Sequence, residues 1–328
     1  MKSEFTQQLD GNAQRRWRRR LLAWYDRNAR DLPWRRDRDP YRVWLSEVML
    51  QQTRVGAVLE HYRRFLQRFP TVQKLAAARE SSVLAVWSGL GYYRRARMMH
   101  AAAKTIVKKH QGKFPGTLAG LRDLPGIGRY TAAAIASIAF EAPAAVVDGN
   151  VGRVLGRVFG TSLMEKDSWQ AAEALLSRAR PGDFNQAMME LGATVCLPRQ
   201  PRCSICPVFD LCATRGTLDR PGKPTRQNRR EICYVLDRRE SSIFLVQRPK
   251  HSSLMPGMWE LPEVPADHAT GRASLTLRHS ITVTDYIVRV MQSPTQGGSG
   301  GRWVQRERIA RLPLTGLTRK ILRQAQVI

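Results

Sequence analysis

The sequence predicts an α+β protein: an all-α region carrying a glycine hairpin and a cysteine loop, then a small α/β domain. Three observations predict it. Apolar residues recur at helical spacing as far as Cys212. Residues 213–231 hold Pro221-Gly222-Lys223-Pro224, several arginines and little apolar content, which marks a basic linker. Beyond it, Ile232 to Leu236 and Ile243 to Gln247 are strand-like runs joined by a polar turn. The expected division is 1–212, the linker 213–231, and 232–328, and a chain of 328 residues gives two domains a core each.

The formal net charge is +27, spread along a chain with eight Trp and 43% hydrophobic residues. Such a chain folds, so the charge is not that of a disordered basic tail. It points to a polyanionic partner, nucleic acid first, with binding that weakens steeply as salt rises. No stretch approaches the ~20 apolar residues of a spanning helix. The N-terminus lacks an apolar signal core, so a cytosolic protein is expected. Four of the five cysteines are clustered, which in that compartment suggests a metal site and not disulfides.

Taken in order, residues 1–13 are polar and expected to fray. From Gln14 to Arg30, Trp17, Leu21, Trp24 and Tyr25 share one helical face, and five arginines crowd the same helix. Leu32-Pro33-Trp34-Arg35 breaks the chain before a second helix from Tyr41 to Arg54. Glu47 is the one acid in its apolar run. The pattern alone favours a surface acid; in a pocket, desolvation would raise its pKa and keep a proton available. Phe65 to Val86 reads as two short helices split by Pro70. Trp87-Ser88-Gly89-Leu90-Gly91-Tyr92-Tyr93-Arg94-Arg95 joins a glycine turn to tyrosines and arginines, a composition suited to wedging into a base stack. Tyr93 is read as core.

Pro125 stops the next helix, Gly126 and Gly128 free the backbone for a hairpin, and a helix starts near Tyr130. Glycines ahead of a helix start let N–H groups approach an anion, here a DNA phosphate. Helices follow at Val151–Phe159 and Ser168–Ala179, and Met188 and Met189 read as core. Four thiols at Cys196-x6-Cys203-x2-Cys206-x5-Cys212 can enclose a metal centre, for which zinc is the ordinary occupant on chemistry alone. Cys233 reads as an inert buried thiol. Residues 296–302 are Gly-rich and read as a flexible turn before a last helix near Thr318 to Gln326.

Pro40-Tyr41-Arg42-Val43-Trp44-Leu45-Ser46-Glu47-Val48-Met49-Leu50-Gln51-Gln52-Thr53 closely resembles the signature helix of MutY-type adenine DNA glycosylases. The hairpin together with Asp148 resembles the helix–hairpin–helix element of that family. The cysteine spacing is similar to the [4Fe–4S] loop of endonuclease III and MutY-type enzymes. Met255-Pro256-Gly257-Met258-Trp259-Glu260-Leu261-Pro262 resembles the substrate-side loop of Nudix-like domains, without the acid-rich metal helix of active hydrolases.

The resemblance implies a helix–hairpin–helix glycosylase domain with an Fe–S loop, then a Nudix-like domain that binds and does not hydrolyse. It implies a monomer, cytoplasmic or at the nucleoid in a bacterium, acting on duplex DNA with adenine opposite 8-oxoguanine or guanine. By resemblance Glu47 is the general acid toward adenine N7 and Asp148 the anionic partner of the sugar cation, with Tyr130 and Asn150 as supporting hydrogen-bonders. Asn150 is otherwise a plausible turn residue. Arg30, Trp34, Arg35, Leu50 and Val55 follow the family pattern of pocket or strand contacts. Gln52 and Tyr92 would enter the duplex, and Glu190 is either a surface acid or the family's adenine-pocket residue. Gly126, Gly128 and Arg129 would hold the DNA backbone, and Cys196, Cys203, Cys206 and Cys212 the cluster, with Arg199 and Arg202 presented to phosphates. Thr282 keeps a hydroxyl at the lesion-recognition loop, where Ile281-Thr282-Val283 replaces the family's usual Phe-Ser-His. Endonuclease III-like enzymes carry a lysine nucleophile at the position of Tyr130, so no Schiff base is expected here and the enzyme would be monofunctional. A thymine-directed or bifunctional glycosylase on the same scaffold, or a non-catalytic Fe–S DNA-binding protein, are the alternatives.

Overall fold

The computed structural model describes residues 10–218, 228–265, 273–281, 284–293 and 301–328. Contacts divide the chain into two compact units. One contains residues 1–62, 71–73 and 101–221, the other 63–70, 74–100 and 222–328.

The first unit is helical. Helix α1 (Gly11–Asn28) buries Trp17, Leu21 and Tyr25. It begins earlier than the polar composition of residues 1–13 suggests, because the Asp10 carboxylate accepts from Ala13 N across 2.7 Å and caps it. Helix α2 (Pro40–Leu50) starts on an Asp39 cap with proline in its first turn. It ends at Leu50 and not at Arg54, since Gln52 takes a left-handed φ of 56° that no helix continues through. Helix α3 (Val55–Arg68) follows, then α4 (Val72–Ala76), α5 (Glu80–Trp87) and α6 (Arg94–His110). The two short helices expected within Phe65–Val86 are thus the end of one long helix and two short ones, with the break before Pro70 as expected.

Helix α7 (Leu118–Arg122) leads through the glycine hairpin into α8 (Arg129–Phe140), which is buried on all sides from Thr131 to Ile138. Its alanines let neighbours approach. Helices α9 (Gly149–Val158), α10 (Glu165–Leu175) and α11 (Pro181–Thr194) complete the layer. A Cβ on Gly182 would stand 2.6 Å from the Ser137 carbonyl, and one on Gly192 2.6 Å from the Asn150 Cβ. Both glycines therefore set how closely α11 lies against α8 and α9, and so where its side chains face.

The second unit is an α/β body. Strands β1 (Asn228–Val235), β5 (Glu263–Val264), β6 (Leu275–Ile281) and β7 (Thr284–Met291) form one sheet in the order β5-β1-β7-β6, with β1 and β7 parallel. Strands β2 (Arg238–Arg239), β3 (Ser242–Gln247), β4 (Trp259–Glu260) and β8 (Gly301–Gln305) form the other. Residues 301 and 302 are therefore strand and not turn. A Cβ on Gly301 would stand 2.3 Å from the Phe244 ring, so this glycine makes room for an aromatic ring of β3. Helices α12 (Arg306–Ile309) and α13 (Gly316–Gln324) close the core, in which Leu245, Leu261, Val288 and Ile321 are fully buried.

Residues 74–100 pack into this unit through polar contacts that centre on the Leu314 carbonyl, with Arg97 Nη2 also donating to Pro256 O (2.6 Å). Ser88 Oγ donates to Leu314 O (2.8 Å), Tyr93 Oη to the same oxygen (3.1 Å), and Arg319 Nε to Ser88 Oγ (2.8 Å). The compact units thus differ from the sequential division at 212 and 232. Tyr93 is buried, as read from sequence, and so is Cys233. Thr282 lies outside the described residues, as does 219–227 of the linker. No described helix is long and apolar enough to cross a membrane.

Candidate active site

In the first unit a cleft of about 910 Å³ opens between α2, the hairpin, the start of α9 and α11. Glu47, Asp148, Tyr130 and Asn150 line it, with Arg30, Trp34, Arg35, Leu50, Gln52, Val55, Glu190, Gly126, Gly128 and Arg129. Residues separated by more than a hundred positions are thereby brought onto one surface.

Glu47 is no surface acid: it lies in an unbroken buried run of α2 and is 6% exposed. Its carboxyl pKa is raised to about 7, first by burial and further by the charge of Asp148, while the Tyr130 hydroxyl and the Arg35 charge oppose the rise. Tyr130 Oη donates to Glu47 Oε2 across 2.6 Å and stands 3.4 Å from Met189 Sδ. Burial, then the charges of Glu47 and Asp148, push the phenol well above its ordinary value, so it stays protonated.

Asp148 caps α9. One carboxylate oxygen accepts from Val151 N (2.7 Å), the other from Asn150 Nδ2 (3.1 Å). The helix N-terminus favours negative charge there. Asn150 is accordingly more than a turn residue. It also accepts from Arg153 Nη2 (2.8 Å), whose guanidinium donates in addition to Gly192 O (2.7 Å) and to Cys196 O (2.9 Å).

Glu190 is fully buried, which rules out the surface reading. Arg30 grips it from Nε (2.6 Å) and Nη2 (2.7 Å), and Arg35 Nη2 adds a third bond at 2.8 Å. Burial alone would raise this carboxyl, yet the two guanidiniums win and hold it below the usual carboxylate range.

In the hairpin only Gly126 is left-handed, at φ 74°. Gly128 caps α8 at φ −84°, a conformation open to any residue, and a Cβ there would meet nothing within 4 Å. The hairpin itself does not require glycine at 128; the space its missing side chain leaves faces the cleft. Gln52 is exposed at its left-handed φ. Tyr92, in the second unit, is also left-handed, at φ 47°, and 52% exposed, with the Arg95 guanidinium 5.5 Å from its ring centre. Bulky side chains rarely hold such backbone without a local reason.

Sequence reading missed Trp169 and took Met189 for plain core. Both line the cleft, and Arg129 stacks on Trp169 at 3.8 Å from the ring centre. Neither belongs to a local motif; only the folded chain brings them to Tyr130 and Arg129.

The four clustered cysteines line one small cavity. Arg157, itself buried, donates to Cys196 Sγ (3.2 Å), Leu197 O (2.7 Å) and Pro198 O (2.8 Å), and Arg215 N donates to Cys212 Sγ (3.4 Å). Donors aimed at sulfur suit thiolates. Burial raises Cys206 to about 11, so a bound cation is what would hold it ionised. Among the described residues no three His, Cys, Asp or Glu converge as ligands of a single ion would. Four thiols around one cavity are the ligand number that a [4Fe–4S] cluster takes, one thiolate to each iron. Arg199 and Arg202 are exposed beside it.

Residues 45–181 match the family model of HhH-GPD superfamily base excision DNA repair proteins, and residues 196–212 match the iron-sulfur binding domain of endonuclease III. The adenine DNA glycosylase of Schizosaccharomyces pombe is 40% identical over 319 residues, a match covering 76% of this chain and 69% of that protein. The chain belongs to the adenine DNA glycosylase family. The Rattus norvegicus adenine DNA glycosylase is 42% identical over 311 residues, and there the match covers 76% of this chain but 60% of the longer relative. Among solved structures, a thermostable thymine-DNA glycosylase superposes with a TM-score of 0.58 at 31% identity, covering 63% of this chain and 99% of that one. The family's superfamily segment takes in Glu47, Tyr130 and Asp148, and its iron–sulfur segment takes in all four clustered cysteines. Arg30 and Glu190 lie outside both segments, and the folded chain pairs them in the cleft.

Proposed function

We propose that this chain is a monofunctional DNA glycosylase that removes adenine mispaired with 8-oxoguanine or guanine, acting as a monomer on duplex DNA. The observation that carries the reading is the buried Glu47, hydrogen-bonded to Tyr130, in the same cleft as Asp148 at its helix cap. A carboxyl held near pH 7 has a proton to give and a conjugate base that is not too weak. Glu47 delivers it to adenine N7, and the C1′–N9 bond breaks with its electron pair passing into the purine. Asp148 carries the negative charge facing the oxocarbenium ion, and water completes hydrolysis. Asn150 and Val151 N hold Asp148 in place. Tyr130 supplies no amine, so strand cleavage through a Schiff base has no nucleophile at this site.

The Glu190 carboxylate, engaged by Arg30 and Arg35, positions those guanidiniums at the pocket wall beside Trp34, Leu50 and Val55. The hairpin with Arg129 holds phosphates, and Gln52 and Tyr92 open the stack. Cys196, Cys203, Cys206 and Cys212 would hold the [4Fe–4S] cluster, which when bound organises the loop that carries Arg199 and Arg202. The Nudix-like region 232–328, with Thr282 on its recognition loop, reads 8-oxoguanine. Residues to 212 carry the chemistry, and action in the cytoplasm, at the nucleoid of a bacterial cell, accords with this reading.

A gel assay on adenine:8-oxoguanine duplex tests it. Strand cleavage only after alkali supports a monofunctional adenine glycosylase. Nicking without alkali supports a bifunctional enzyme, cleavage confined to a thymine mismatch supports the thymine-directed alternative, and no cleavage supports a binding protein.

A further inference from the structure

Tyr130 has one hydroxyl proton and two acceptors. Glu47 Oε2 lies 2.6 Å from Oη and Met189 Sδ 3.4 Å. While Glu47 is a carboxylate, the phenol donates to it, since a thioether is much the weaker acceptor. Once Glu47 is protonated, its own O–H seeks an acceptor. A proton on Oε1 leaves Oε2 accepting from Tyr130, whereas a proton on Oε2 meets Tyr130 Oη at 2.6 Å, which can accept only if its own proton turns elsewhere.

Met189 supplies that elsewhere. It projects from α11, is half-buried and lines the cleft beside both residues. With the proton on Oε2 the relay runs from the Glu47 O–H to Tyr130 Oη, and from the Tyr130 O–H to Met189 Sδ; with the proton on Oε1 the acid is turned to the base and the phenol donates to Oε2. We propose that Met189 is a positioning residue for base excision, whose sulfur takes the Tyr130 proton and so lets Glu47 hold its own. No bond to carbon or sulfur changes; two O–H groups rotate. Without an acceptor at 189 a proton on Oε2 would face the phenol's own, so the protonated acid would keep only the arrangement with its proton on Oε1 and lose the other. The charged groups acting on this pair are Asp148 from the cap of α9 and Arg35 from the 3₁₀ turn at Pro33–Arg35, with the Arg30–Glu190 pair lining the same cleft, and none of them takes the phenol proton in the structure.

This inference rests on the reading of Glu47 as the acid that protonates adenine. Its test is therefore made twice, once with and once without turnover. In full-chain protein labelled with ¹³C at glutamate carboxyls, Glu47 is assigned by Glu47→Gln and titrated by NMR. Met189→Leu, close in volume, should lower its midpoint by about half a pH unit, the size of a weak buried hydrogen bond. In the Tyr130→Phe background the same substitution should move it by less than a quarter of that. In single-turnover excision, the alkaline limb of the rate profile should shift down by the same amount. An unchanged midpoint in Met189→Leu, or a shift that persists in Tyr130→Phe, overturns the proposal. If the wild type removes no adenine, the functional reading fails, while the carboxyl titration still decides whether the sulfur acts on Glu47.

Discussion

Arg153 reaches Asn150 across 2.8 Å and, from the same guanidinium, the carbonyl of Cys196 across 2.9 Å. The amide that steadies Asp148 and the backbone at the head of the cysteine loop therefore hang on one side chain. Helix α9 carries Asn150 and Arg153 three positions apart, so the geometry is built into one turn. Arg153→Leu frees the Asn150 amide to rotate away. A small displacement of a catalytic group is enough to slow chemistry markedly. Single-turnover excision should fall about tenfold with DNA affinity unchanged; an unaltered rate would show that Asn150 is held without Arg153.

The raised Glu47 pKa is also a statement about stability. Its folded value of about 7 lies above the ordinary 4.5, so between those pH values the folded state binds the proton more tightly than the unfolded chain. Stability therefore falls as pH rises through that window and stays lowered beyond it. The displacement corresponds to about 3 kcal/mol, an upper bound for a site that can relax. Glu47→Gln keeps the acceptor for Tyr130 without the buried charge. It should melt several degrees above wild type at pH 8 and level with it near pH 4, in thermal unfolding followed by circular dichroism, while excision drops by at least about a hundredfold.

Much of the cleft's lining can be read from the sequence. Glu47, Tyr130 and Asp148 lie inside segments whose local rules are strong: an apolar run with one acid, a Pro-Gly-x-Gly hairpin, an aspartate before a helix. What the sequence left open was the environment. The run around Glu47 allows a surface acid, and only burial of the whole of α2 decides against it. Likewise Glu190 reads as a surface or pocket acid until Arg30 and Arg35, about 160 residues away in sequence, fold onto it. Helix ends were misplaced where a cap or a left-handed residue intervened, as at Asp10 and Gln52. Gly301 looked like part of a turn because its neighbours are glycines, whereas its role is to make room for Phe244.

The Glu190 pair should dominate the acid limb of stability. Two guanidiniums hold this carboxyl below its ordinary range against the cost of burial, so its contribution is present above pH 4.5 and is lost as pH falls through the folded value. Glu190→Gln leaves Arg30 and Arg35 facing each other without a counter-charge. Breaking a fully buried pair costs about 3 kcal/mol, and the 39% exposure of Arg30 reduces that here to about 1–2 kcal/mol. Urea unfolding at pH 7 should show that loss, and it should shrink below pH 4. Equal stability at pH 7 would mean that solvent already screens the pair.

Four cysteines share the loop at 196–212, and Arg157 is buried against it. Cys203→Ser removes one ligand and leaves that guanidinium beside an incomplete anion. The variant should lose its brown colour, its iron and its acid-labile sulfide, and it should be cleaved by protease between 196 and 216. Wild-type protein that is colourless, zinc-loaded and active would overturn the cluster assignment.

Arg129 offers a way to separate holding DNA from cutting it. Its guanidinium lies 3.8 Å from the centre of the Trp169 ring, at the N-terminus of α8 and at the mouth of the cleft. Stacking on indole fixes the side chain while leaving its N–H groups directed outward, so little entropy is lost when a phosphate arrives. Each phosphate neutralised adds close to one to the slope of log K against log salt. Arg129→Gln should flatten that slope by about one and weaken binding uniformly across sequences. Trp169→Leu keeps the charge but frees the arm. Its slope should stay near wild type while affinity falls about threefold, because the same contact forms from a looser side chain. If Trp169→Leu flattens the slope as Arg129→Gln does, the ring is needed for the contact itself and not for its preorganisation. If neither variant alters the slope, Arg129 meets no phosphate and the hairpin binds through its backbone alone.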